Sequence, residues 1–193
     1  MSLELIKKIR EKTGAGMVDI KNAIEEAKGD EEKTIELLRK KGQSKAAKKA
    51  GREVKEGIVV SYIHSNGKIG SMVKLYCETD FVARNEEFIS LAKDIAMHIS
   101  AMDPKFLSPE DVSSELVEKE KEIWMEQMKN EKKPKDILKK IIEGKEKKFR
   151  EELALLSQSF VKEPEKNVEE LINEKIGKIG ENIQIGEFIR YEL

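Results

Sequence analysis

The sequence predicts an α+β fold in which a small helical module precedes an antiparallel β-sheet covered by helices. Apolar residues recur at helical spacing over the first 42 residues and again after residue 85, whereas residues 58–77 alternate with a period of two. Alternation returns over residues 183–191. We expect this final strand to join the earlier two, because two strands alone are marginally stable.

Residues 1–42 are predicted to form three short helices separated by glycines. Asp30 precedes two glutamates, a pattern typical of a helix start, because the aspartate oxygen accepts hydrogen bonds from free backbone amides. A module of this size would not be very stable alone. Its expected apolar face comprises Leu5, Ile6, Ile9, Ile20, Ala23, Ile24, Ala27, Ile35 and Leu38, and its expected helix ends are marked by Gly14, Gly16, Gly29 and Gly42.

A basic linker is predicted over residues 43–56. Between Lys40 and Glu56 the chain carries seven basic residues and two acidic ones. One interpretation is a solvated linker or short helix, since charge runs are usually exposed. The alternative is a contact with phosphate, with the ribosome or with an acidic protein surface.

The core domain is predicted over residues 57–193 and opens with a β-hairpin. Asn66 and Gly67 are expected to supply two positive-φ residues for a tight turn. Asn85 is then the expected N-cap of a helix of about 15 residues. The apolar stripe of that helix comprises Phe88, Leu91, Ala92, Ile95, Ala96 and Ile99.

A projecting helical hairpin is predicted over about residues 110–150, which are rich in lysine and glutamate. Pro134 and Gly144 are expected to break its helices. Asn167, with Glu170 three positions later, then predicts the start of another helix before the final strand.

Composition excludes several classes of function. The 193 residues carry 37 lysines and arginines against 38 acids, so the formal charge of −1 provides no overall field that would attract nucleic acid. One cysteine excludes an intrachain disulfide. No apolar run approaches the roughly 20 residues of a membrane span, and the first residues lack the apolar segment of a secretory signal. We expect a soluble, cytoplasmic protein without a membrane partner or a dedicated nucleic-acid site.

Catalytic motifs are not found in the sequence. It contains no phosphate-binding loop, dinucleotide fingerprint, zinc-protease histidine motif or serine-hydrolase elbow. His64 and His98 are more typical of surface or packed histidines than of a general base, and Cys77 of a packed side chain. We expect no catalytic residue, no cofactor and no metal site.

Phe81 follows the second predicted strand, in the connection to the next helix. Alternation leaves two interpretations equally open: an aromatic plug of the core or an aromatic displayed on the surface.

Several segments together resemble the bacterial translation elongation factor Ts family, and the resemblance covers essentially the whole chain. The most specific is residues 79–85, with the sequence TDFVARN. The other matching segments are 13–21 (TGAGMVDIK), 45–51 (KAAKKAG), 133–135 (KPK), 143–144 (EG), 178–183 (KIGENI) and 188–192 (FIRYE).

This resemblance implies a guanine-nucleotide exchange factor that binds GDP-bound and nucleotide-free elongation factor Tu and promotes GDP release. It implies a ubiquitin-associated-like fold and a docking role for residues 1–42. The chain resembles the short form of the family, with one copy of the core. A homodimer is therefore expected to supply the second core half and to bury strand residues such as Ile58 or Val60.

The resemblance also implies which residues contact the GTPase. Asp80 and Phe81 are expected to enter its nucleotide domain, with Phe81 as a wedge. Relatives often carry basic residues where this chain has Gly186 and Glu187, so no contact is assigned to that pair. The full expected contact set is Thr79, Asp80, Phe81, Val82, Ile179, Gly180, His64, Lys21 and Lys49.

Two other classes of function compete with this interpretation. An RNA- or ribosome-binding protein would use the basic residues between Lys40 and Lys55, and its binding would depend strongly on salt. An enzyme would need a pocket with converging titratable groups.

Overall fold

The computed structural model describes residues 3–129 and 134–193. The α-helices are α1 (Leu3–Thr13), α2 (Met17–Glu26), α3 (Glu31–Lys49), α4 (Asp80–Ala83), α5 (Glu86–Met102), α6 (Ser114–Met128), α7 (Lys135–Leu153) and α8 (Val168–Ile179). The strands are β1 (Glu56–Ile63), β2 (Ile69–Cys77), β3 (Ser159–Phe160), β4 (Glu163–Asn167) and β5 (Gln184–Glu192). Lys133, part of the matching segment 133–135, lies outside the described residues.

The predicted α+β class is confirmed. Within residues 3–129 and 134–193, β1, β2 and β5 form an antiparallel sheet with β2 in the centre. Helix α5 packs across one face of this sheet, where Val73, Leu75 and Cys77 are buried. The final strand therefore pairs as predicted, and the stripe predicted for α5 is completely buried.

Helices α1, α2 and α3 pack around a separate apolar cluster. Ile9 and Ile20 are completely buried at its centre, and Ile6, Ile24 and Leu38 surround them. Asp30 caps α3, because its side chain accepts a hydrogen bond from the Lys33 backbone N–H at 3.0 Å. The three predicted helices are therefore confirmed.

The predicted end of the third helix at Gly42 is wrong. Helix α3 continues to Lys49, so the first half of the predicted linker is helical. Gly42 lies against Gly177 of α8, where an added Cβ on Gly177 would be 3.6 Å from the Gly42 Cα. Ala46, one turn further, is buried in the core cluster. This packing against α8 offsets the roughly 1 kcal/mol that a glycine costs inside a helix.

The hairpin turn differs from its prediction. Gly67 has φ of +67°, but Asn66 does not have a positive φ. The strands are joined by residues 64–68, where the Gly67 N–H donates to the His64 carbonyl oxygen at 2.8 Å. The Asn66 side chain accepts from the Lys68 N–H at 2.9 Å. In this longer loop only the glycine needs the left-handed conformation.

Strand β5 contains a bulge where it passes β2. The register shifts between Val73 and Leu75, opposite Gly186 and Glu187. The ring of Tyr76 covers Gly186 so closely that an added Cβ would be 2.5 Å from it. Glu187 forms an ion pair with Lys74 at 2.7 Å.

The predicted helical hairpin is present as α6 and α7. The Trp124 ring packs edge-on against Phe149, with 5.7 Å between ring centroids. Gly144 does not break α7, which runs through it without interruption. Glycine is destabilising in a helix, but Glu and Lys pairs such as Lys139–Glu143 and Lys148–Glu152 stabilise the turns beside it.

Three of these helices and strands were not predicted: the short antiparallel strands β3 and β4, and the single turn α4. The Asn167 cap of α8 is confirmed, and Glu170 completes a capping box with it. In the part of the chain that the structure describes, we find no helix that is both long enough and apolar enough to span a membrane.

Candidate partner interface

Phe81 is displayed on the surface, and the residue is 82% exposed. It lies on α4, between half-buried Val82, which packs against the core, and Asp80, which pairs with Arg84 at 3.2 Å. Ala83 is buried on the opposite side of the turn. Of the two interpretations of Phe81, the displayed aromatic is therefore correct.

The turn that carries Phe81 begins with Thr79. Its hydroxyl accepts a hydrogen bond from the Val82 backbone N–H at 3.4 Å and so caps α4. Thr79 and Asp80 are half-buried at the end of β2. This arrangement places one large apolar side chain in solvent on a backbone that is anchored on both sides.

Ile179 and Gly180 lie at the end of α8. Ile179 is half-buried and packs against the core, whereas Gly180 is exposed and closes the helix with φ of +93°. The Lys49 ammonium donates a hydrogen bond to the Gly180 carbonyl oxygen. Lys49 and the Gly180 turn are thus in direct contact.

The sequence assigned no role to three polar residues that connect these turns: Glu78, Glu181 and Asn182. The Glu181 carboxylate accepts from the backbone N–H groups of Glu78 at 3.1 Å and of Thr79 at 3.0 Å. The Asn182 N–H donates to the Glu78 carboxylate at 2.6 Å. The structure therefore brings residues 79–82 and 180 together. Only the presence of Glu181 and Asn182 in the matching segment 178–183 hinted at their importance.

His64 and Lys21 lie apart from this cluster. His64 is exposed in the loop after β1, where its Nδ1 is 3.2 Å from the Tyr62 hydroxyl. Because Glu56 and Cys77 pair at the opposite end of that strand, His64 is about 26 Å further along the sheet. Lys21 is exposed on α2. Any single partner that contacts the whole predicted set must span the molecule.

The basic segment at the end of α3 is largely paired with acids. Lys41 and Lys45 contact the Asp19 carboxylate at 2.8 Å and 2.6 Å. Their hydrogen bonds, that of Lys41 first, lower the pKa of Asp19. Arg52 lies 3.5 Å from Glu78. These acids reduce the positive field that an RNA backbone would need, which weighs against the RNA-binding hypothesis.

The outer face of the sheet is apolar and open to solvent. The expectation that Ile58 and Val60 face a second copy is wrong, because both side chains pack partly buried against the core beneath α5. Alternation directs their neighbours outward. The exposed apolar side chains of this face are Val59, Ile63, Met72, Ile189 and Tyr191.

Cys77 and His98 are packed residues. Burial raises the pKa of the Cys77 thiol to about 11, so it is not a reactive thiolate at neutral pH. His98 is completely buried; its Nδ1 accepts from the Val161 N–H at 3.3 Å, and its Nε2 lies 3.1 Å from the Gln158 amide oxygen. Burial lowers the pKa of His98.

Ligand sites were sought among residues 3–129 and 134–193. We find no cluster there of histidine, cysteine, aspartate and glutamate that could hold a metal ion. A cleft of about 500 Å³ lies where α2 and α3 face α8. Its side chains include Lys166, which pairs with Glu174 at 2.6 Å and Glu163 at 2.9 Å. The cleft is thus lined by ion pairs rather than by a set of groups of one charge.

Comparison with known proteins identifies one family. The family model described as elongation factor TS matches residues 3–193. Relatives named elongation factor Ts include those of Fervidobacterium nodosum, 52% identical over 100% of this chain and 98% of the relative, and Thermosipho melanesiensis, 55% identical over 99% and 97%. The relative from Thermodesulfovibrio yellowstonii is 53% identical over 100% of this chain and 96% of its own length.

Proposed function

Because the chain belongs to the elongation factor Ts family, we propose that it is a guanine-nucleotide exchange factor for elongation factor Tu. In this function it binds the GDP-bound GTPase, promotes GDP release and so allows GTP to bind during translation elongation. It acts without catalytic residues or a cofactor of its own, in the cytoplasm.

The observation that carries this proposal is the exposed Phe81 on an anchored turn. An exchange factor needs no proton transfer; it must bind the nucleotide-free GTPase more tightly than the loaded one. Linkage then weakens nucleotide binding by the same factor. An aromatic residue that is 82% exposed can bury its apolar surface in the partner when the partner adopts its open state.

The proposed contact surface has three parts. Thr79, Asp80, Phe81 and Val82 enter the nucleotide domain of the GTPase, and Ile179 and Gly180 contact it beside them. Residues 1–42 dock through Lys21, while Lys49 contributes from the end of α3. His64 makes a distant contact from the loop between β1 and β2.

We further propose that the protein is a homodimer whose two copies meet across the outer face of the sheet. Met72 lies on the central strand of that face and is 48% exposed. Strands β1 and β5 both lie at edges of the sheet, and exposed apolar strands favour association. A second copy would cover this face and supply the core half that longer relatives carry in one chain.

Release of a fluorescent GDP analogue from elongation factor Tu, followed by stopped flow, tests the proposed function. Catalytic amounts of the protein should accelerate release, and the protein alone should hydrolyse neither GTP nor ATP. An unchanged rate of release at saturating protein would refute the proposal. A salt-sensitive shift of RNA as strong as binding to the GTPase would favour the competing function.

A further inference from the structure

We propose that Glu181 is a positioning residue for Phe81. Its carboxylate fixes the turn that displays the aromatic ring, and it does so without contacting the GTPase. This inference rests on the proposed exchange function and adds to it a residue that determines how well the wedge is oriented.

Glu181 lies immediately after the Gly180 turn, half-buried against the end of β2. One carboxylate oxygen, Oε2, accepts from the backbone N–H groups of Glu78 and Thr79 at 3.1 Å and 3.0 Å. The other, Oε1, accepts from the Thr79 hydroxyl at 2.7 Å. Hydrogen bonds to an ionised acceptor are shorter and stronger than neutral ones, so this carboxylate holds Thr79 firmly.

The Thr79 hydroxyl transmits this restraint to α4. A hydroxyl has one hydrogen to donate, and here Glu181 takes it. The oxygen lone pairs are therefore free to accept from the Val82 N–H, which is the cap of α4. A helix of a single turn has little stability of its own, so its position depends on such a cap. Glu181 thus sets the orientation of the turn on which Phe81 lies.

A reciprocal pair of hydrogen bonds joins Glu78, which precedes the Phe81 turn, to Glu181 and Asn182. The Glu78 carboxylate accepts from the Asn182 N–H at 2.6 Å, while the Glu78 N–H donates to Glu181. Asn182 is 2% exposed, and its side-chain amide donates to the Arg52 carbonyl oxygen at 2.9 Å. The Phe81 turn is therefore tied to the chain beyond α8 and to the segment that follows α3.

Such preorganisation should matter for exchange. A displayed aromatic that samples several orientations must lose that freedom on binding, which weakens the complex. In Glu181→Gln the amide nitrogen replaces one accepting oxygen, so at least one of the bonds to residues 78 and 79 is lost. We expect kcat/KM for GDP release to fall about tenfold.

A double-mutant cycle separates positioning from a merely structural role. Glu181→Gln, Phe81→Ala and the double variant are compared with the wild-type chain in the release assay, with Glu126→Gln on α6 as an exposed control. Because Glu181 acts through Phe81, Glu181→Gln should cost about tenfold in the wild-type background and less than about twofold in the Phe81→Ala background. Hydrogen exchange of the Val82 amide should be faster in Glu181→Gln.

Each other outcome overturns the inference. Equal losses of kcat/KM in both backgrounds would mean that Glu181 acts independently of Phe81. An unchanged rate of GDP release with Glu181→Gln would mean that the turn needs no such restraint. If Glu181→Gln unfolds at the assay temperature, the same cycle is measured with Glu181→Asp, which keeps the carboxylate but shortens its reach to the Glu78 and Thr79 donors. A wild-type chain that does not accelerate release would instead refute the proposed function, and this inference with it.

Discussion

Replacement of Phe81 by alanine should leave the protein stable and impair exchange. Burial of a whole phenylalanine side chain is worth about 1.5 to 3 kcal/mol. Since the residue is 82% exposed, about 1.2 to 2.5 kcal/mol is gained only in the complex. At 1.36 kcal/mol per decade this is a loss of roughly 8- to 60-fold in kcat/KM.

The stability of the same variant provides the contrast. The buried part of Phe81 contributes about 0.3 to 0.5 kcal/mol. For a chain of this size we expect the melting temperature to change by no more than about 2 °C. A phenylalanine in the core would cost about 3 to 5 kcal/mol and lower the melting temperature by roughly 6 to 20 °C.

Thermal unfolding and stopped-flow GDP release are measured on the same preparation. Ile123→Ala on α6 is a suitable control, because Ile123 is also an exposed apolar residue, at 49%, but lies outside the proposed contact set. Ile123→Ala should promote GDP release from elongation factor Tu at the wild-type rate. A strongly destabilised Phe81→Ala, or a stable one with normal exchange, would each refute the reasoning.

Three further predictions follow from the structure. Lys21→Ala should weaken binding of elongation factor Tu about two- to fivefold without changing the melting temperature. Lys49→Ala should lower both the affinity and the melting temperature, because Lys49 also bonds to the chain after α8. Equal melting temperatures of the two variants would contradict this. The wild-type protein should sediment at about twice 22.1 kDa at tens of micromolar, and Met72→Glu as a monomer; a wild-type monomer would refute the dimer. Burial lowers the pKa of His98 below its ordinary 6.5. As the pH falls, His98 is therefore protonated in the unfolded state before it is protonated in the folded state. The free energy of unfolding in urea should therefore be highest above about pH 6.5 and fall on acidification, and this fall should be smaller in His98→Gln.

Local hydrogen bonding explains which elements could be predicted. The caps at Asp30, Asn85 and Asn167 are each made within three residues of the chain, so the sequence contains both partners. The periodicity of α5 and of the strands likewise depends on near neighbours. These features gave the fold class and the order of the main helices and strands.

Glycine predicted helix ends less reliably, because its effect on a helix depends on the residues that pack around it. Gly42 and Gly144 both lie inside helices that continue. At Gly42 a distant helix makes the difference, since α3 continues through this glycine where it packs against α8 beside Gly177. The two glycines are 135 positions apart in the sequence, so a pattern of neighbouring residues cannot predict that they pack together.

The sequence by itself determined the fold class, the main caps and the segments that carry the family resemblance. Tertiary structure alone decided that Phe81 faces solvent, because Ala83 is buried and Val82 half-buried, which fixes the side of α4 that remains free. It also brought Glu181 to Thr79, although 102 positions separate them. Alternation specifies a face only while a strand is regular, and the chain leaves β2 before it reaches Phe81. The direction of that ring is therefore set by hydrogen bonds and packing between distant segments.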